Sequence, residues 1–266
     1  MTTTSHPTTG LRAFAARRPV TSYLVVSFAL GWAILMPPAL LGVENLQLFV
    51  LPTAVFAQFG VALAVAALGS GRDGVRALLR RAFRWRTHPL WYAVAVLALP
   101  VAGVLGTTAV LGTGVLDTVL ARPAAVLAFV TGLAIVPLIN IWEETGWTAA
   151  VQDRLTERHG SCAAAAVTGA FFALYHLPLQ LGQPLAGTAS GMAVLLAIAL
   201  PFRVVTGRLS AATGGSVPVV ALFHGSFNVA TSSVLFDAVA PGVGALGVTV
   251  AALVAVAVAL VVVARR

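Results

Sequence analysis

The residues of this chain that could do chemistry are few and stand in apolar surroundings. Glu143 and Glu144 directly follow the run Ile139-Asn140-Ile141-Trp142, His176 follows Phe171-Phe172-Ala173-Leu174-Tyr175, and His224 lies in Val220-Ala221-Leu222-Phe223 ahead of Gly225-Ser226-Phe227-Asn228. Adjacent helical positions point about 100° apart, so the two carboxylates cannot share one task. One faces a cavity, where it suits taking a proton from water, while the other turns to a supporting partner. His224 and Asn228 are four residues apart and so share a helical face. Gly225 and Ser226 between them permit close helix approach.

Two chemistries fit this set. In one, a glutamate activates water, a histidine orients it, and His224 with Asn228 donates to the developing oxyanion. In the other, Glu143, His176 and His224 ligate a zinc ion that activates the water. Residue types do not separate these, because imidazole serves either role. No His-Glu-x-x-His run is present. The single Cys162 sits among alanines and reads as packing filler. Ser226 and His224 are two residues apart and diverge on a helix. Asp237 has no second intramembrane aspartate to form an acid dyad.

The elements that must position these groups follow from composition. The 266 residues are 59% hydrophobic and only 9% charged, which excludes an ordinary water-soluble globule. The predicted class is all-α, a polytopic membrane bundle of about eight transmembrane helices at 20–36, 46–69, 90–111, 123–142, 161–177, 190–207, 216–236 and 242–264, each near the length a bilayer requires. Residues 1–19 form a polar tail. Residues 20–122 carry three spans and residues 123–236 a core of four. Residues 237–266 carry the last span and a short basic tail.

All 16 basic residues are arginines, and 15 of them fall in alternate connecting segments, Arg122 being the exception. That asymmetry places both termini in the cytoplasm. Segment 70–89 carries Arg76, Arg80 and Arg84 as a stripe opposite Val75, Leu78, Leu79 and Phe83, which reads as an interfacial helix against anionic head groups. The net charge of +8 therefore points to a membrane surface and not to nucleic acid. Absence of an internal repeat lowers the case for an ion-coupled transporter.

The order Glu143-Glu144-x-x-x-Thr148, Phe172-x-x-x-His176, His224-x-x-x-Asn228 resembles the CPBP family of intramembrane proteases, which includes CAAX prenyl endopeptidases and Abi proteins. The resemblance covers about residues 123–236. It implies a helical protease of a bacterial cytoplasmic membrane that cleaves a peptide or membrane-protein substrate near the cytoplasmic face. By motif, Glu143 is the general base, Glu144 its supporting carboxylate and His176 the holder of the water, with His224 and Asn228 forming the oxyanion site. No cofactor is required on this reading, and zinc is the alternative. The family motif has an arginine where this chain has Thr148, with Arg154 or Arg203 as candidate substitutes. That departure motivates a second reading, a catalytically silent immunity or binding protein on the same scaffold.

Overall fold

Apolar segments can satisfy their backbone groups in a bilayer only as helices or closed barrels, and helices are what the sequence forms. The computed structural model describes residues 10–112, 114–181, 184–231 and 244–263. A short helix, α1 (Leu11–Arg17), leads into α2 (Pro19–Leu40). A long helical run, α3 (Leu46–Ala82), follows, and then α4 (Pro89–Leu111), α5 (Gly114–Leu120) and α6 (Pro123–Glu144). A π-helical stretch, Thr145–Gln152, joins α6 to α7 (Asp153–Tyr175). After the four-residue α8 (Leu177–Gln180) come α9 (Leu185–Ala212), α10 (Val217–Val229) and α11 (Gly244–Val263). Among the described residues, six helical runs are long and apolar enough to cross a membrane, and α10 is a shorter apolar helix. Asp237 and the basic residues Arg265 and Arg266 lie outside the described residues.

The bundle is turned inside out relative to a soluble protein. Leu127, Val130, Ile135 and Leu138 of α6 and Val25 of α2 point outward, whereas Glu143, Glu144, Thr148, Gln152, Arg203 and His224 are buried. Lipid is a good solvent for the first set, and only other helices can solvate the second.

Two boundaries differ from those expected. The predicted fourth span ends at Trp142, but the helix runs on without a break through the π stretch to a single non-helical residue, Gly160 (φ 80°, ψ 164°). A positive φ with no side chain lets the chain double back there. Trp147 lies before the turn and meets the rings of Phe172 and Tyr175 after it, at 5.6 and 5.5 Å between centroids. The glutamates therefore sit inside a long helical arm and not at its end. All eight residues of the π stretch are buried, so helical packing continued where a polar connection was expected. The predicted inner segment from residue 203 likewise belongs to α9, which extends to Ala212, and Arg203 is fully buried within it.

The amphipathic segment forms as the last part of α3, beyond a break at Gly71 (φ 60°). Arg76 is exposed beside Asp73. Arg81 instead faces the protein, where it donates to the carbonyls of Gly215 and Ala149 and pairs with Asp153.

Candidate active site

Five elements converge on one polar centre. Glu143 and Glu144 come from the end of α6, Thr148 from the π stretch, His176 from the residue after α7, Arg203 from α9, and His224 and Asn228 from α10. The hairpin accounts for one meeting. Glu143 stands seventeen residues before Gly160 and His176 sixteen after it, so both arms rise about 25 Å from the turn at 1.5 Å per residue.

The two adjacent carboxylates diverge as their helical spacing requires. Glu144 is fully buried and accepts from four donors. Arg203 Nη1 donates to Oε2 at 2.9 Å and Nη2 to Oε1 at 3.2 Å, the Thr148 hydroxyl donates to Oε2, and His224 Nδ1 donates to Oε1 at 2.8 Å. A bidentate guanidinium–carboxylate pair of this kind combines strength with fixed geometry. The Arg203 guanidinium also lies over the Phe172 ring, 4.0 Å from its centroid. Gln152 Nε2 donates to the Arg203 carbonyl at 2.6 Å and so ties α9 to the π stretch. Arg203 thus supplies a cation to Glu144 from α9, and Thr148 keeps a single neutral hydrogen bond to the same carboxylate.

Glu143 turns the other way. It lines a cavity of about 460 Å³ with His176, His224, Asn228 and Asn140, closed at the sides by Val136, Ile139 and Val229. A smaller space of about 40 Å³ adjoins it, lined by Glu143, His176, Tyr175 and Thr53 among others. Glu143 takes no part in the ion pair that holds Glu144.

Each histidine is fixed through Nδ1. His176 Nδ1 lies 2.7 Å from the Phe172 carbonyl, an acceptor only, so this nitrogen carries the proton and Nε2 is left for the cavity. At His224 the carboxylate of Glu144 accepts from Nδ1 in the same way, and Phe202 packs 4.9 Å from the imidazole centroid. Asn228 Nδ2 donates to Asn140 Oδ1 at 3.5 Å, and the Asn140 amide nitrogen is buried without a partner.

Glu143, His176, His224 and Asn228 therefore border one space, and Glu144 stands behind it as the support of His224. Among the described residues no three His, Cys, Asp or Glu side chains are disposed to hold a metal ion. The donors thus do not fit the zinc alternative built from Glu143, His176 and His224. One participant escapes the sequence reading, and Arg203 is placed by it in the wrong element. Asn140 precedes Glu143 by three residues, on the same helical face, and an amide in an apolar span is itself a signal. Arg203 was considered only as a candidate from a loop, since an arginine near a span end is ordinary.

This is a polytopic helical protein with an acid, two imidazoles and an amide around an intramembrane cavity. Residues 122–230 match the family model described as type II CAAX prenyl endopeptidase Rce1-like, consistent with a CPBP family protease. The match contains every polar residue of the centre. No curated protein matches the chain.

Proposed function

We propose that this chain is an intramembrane endopeptidase in which Glu143 activates water. The observation that carries the reading is the shared cavity of Glu143, His176, His224 and Asn228, drawn from elements far apart in sequence. Charged and amide groups at membrane depth are costly and mark function by default.

Water held between Glu143 and His176 Nε2 attacks the scissile carbonyl carbon and gives its proton to the Glu143 carboxylate. The carbonyl oxygen becomes an oxyanion. It accepts from Asn228 Nδ2 and from a doubly protonated His224, whose charge the Glu144 carboxylate supports. Collapse of the tetrahedral species breaks the C–N bond, and the leaving nitrogen takes the proton from Glu143. The Arg203 pair keeps Glu144 an acceptor on both oxygens and so fixes the imidazole. With that cation in place, the proposed mechanism does not require an arginine at position 148.

The test is cleavage of a peptide mixture by purified protein, wild type against Glu143→Gln. Loss of a general base lowers turnover by about 10²–10⁴-fold. Equal turnover by the two proteins removes Glu143 from its role.

A further inference from the structure

The arginines and the cavity lie at opposite ends of the bundle. Arg81 donates to the carbonyls of Gly215 and Ala149 and pairs with Asp153, and the Ser216 hydroxyl donates to the Arg84 carbonyl at 2.7 Å. These bonds gather the end of α3, the π stretch and the α9–α10 turn at one end. Gly69 lies close against Ala15 and Ala16, which brings α1 and its flanking arginines there as well. Of the fourteen arginines among the described residues, only Arg122 and the buried Arg203 are elsewhere.

The cavity extends the other way. Beyond Glu143 its lining continues to Gln47 and Val50, which follow the end of α2 remote from Arg18, and to Leu179, past the end of α7 remote from Gly160. Toward the arginine end the way is filled. Trp147, Thr148, Gln152, Phe202 and Arg203 are each no more than 2% exposed, and the Glu144–Arg203 pair lies across the path.

Clustered arginines mark the cytoplasmic side of a multi-pass protein. We infer that the catalytic cavity is entered from the non-cytoplasmic side, and that the substrate is a peptide segment displayed on that face of the membrane, such as the tail or loop of an exported or membrane-inserted polypeptide. This rests on the protease reading for the nature of the substrate, but not for the side of entry. It reverses the cytoplasmic access that the family resemblance implies.

The chain carries its own marker for the test. Cys162 is the sole cysteine, is exposed, and lies two residues past Gly160 at the arginine end. A charged, membrane-impermeant maleimide applied to intact cells should leave Cys162 unlabelled until the membrane is permeabilised. In a Cys162→Ala background, Gln47→Cys should be labelled in intact cells. Labelling of Cys162 in intact cells, or protection of Gln47→Cys, overturns the inference whether or not the protein is a protease.

The substrate class is read separately, by comparing peptide termini in membranes from cells producing wild type and Glu143→Gln. New termini confined to non-cytoplasmic segments support it, and new termini in cytoplasmic tails overturn it. Identical termini in the two strains overturn the protease reading and the substrate class with it, while the labelling result for the side of entry stands.

Discussion

Thr148 and Arg203 divide a task between two helices. The hydroxyl reaches Glu144 from its own helix and the guanidinium reaches it from α9. Removing one member of a buried ion pair leaves an uncompensated charge and costs about 3–5 kcal/mol. Arg203→Met should therefore lower thermal stability in detergent by that order and abolish peptide cleavage. Adding Thr148→Arg to that variant returns a cation four residues from Glu144, on its own helical face, and should recover both readings in part. Failure of the double variant to recover either would show that Arg203 acts through something other than Glu144. At this scale the sequence was most readable where polarity was out of place: Glu143, His176, His224 and Asn228 stand out because the runs around them are mostly apolar. Arg203 stood out only as one of two candidate substitutes, because five residues before Arg208 it looks like one more boundary cation. Only the packing of α9 against α7 turns it inward.

Helix against helix, close approach is set by small residues. A Cβ at Gly146 would overlap the hydroxyl of Tyr23 on α2, so this glycine lets α2 and the π stretch pack with Tyr23 and Trp147 edge to face, 6.1 Å between centroids. Overpacking of this kind costs about 1–3 kcal/mol. Gly146→Ala should lower the unfolding temperature, and Tyr23→Phe in the same chain should restore part of the loss by removing the overlapping atom. No such recovery would mean that the backbone itself cannot accept the methyl group. The helices were legible as apolar stretches, but the extent of two of them was not. Residues 143–160 carry enough polar side chains to resemble a connection, and hydropathy has no means of telling a polar residue facing water from one facing a partner helix. The π stretch is equally hidden, since its widened turns depend on what the eight residues pack against.

For the whole molecule, the positions of the arginines are the most informative long-range pattern. Twelve of the fourteen described ones gather at one end although they are spread from Arg12 to Arg208 in sequence. An even number of crossings follows if both ends of the chain share that side, and a fluorescent reporter that matures only in the cytoplasm should then glow when fused after Arg266. A dark but full-length fusion would require an odd number. Sequence could supply this sidedness but not the direction in which the cavity opens. That direction depends on Trp147, Phe202 and Arg203 filling one approach while Gln47 and Leu179 border the other, residues brought together from separate helices.

The bend at Gly160 works like the rivet of a caliper whose two jaws have nearly equal length. One residue added to either jaw would swing its tip about 100° and lift it about 1.5 Å, carrying Glu143 or His176 off their common target. Residues added at the rivet would lengthen neither jaw. Changes in chain length within this half of the protein should therefore be harmless at the bend and ruinous on either side of it.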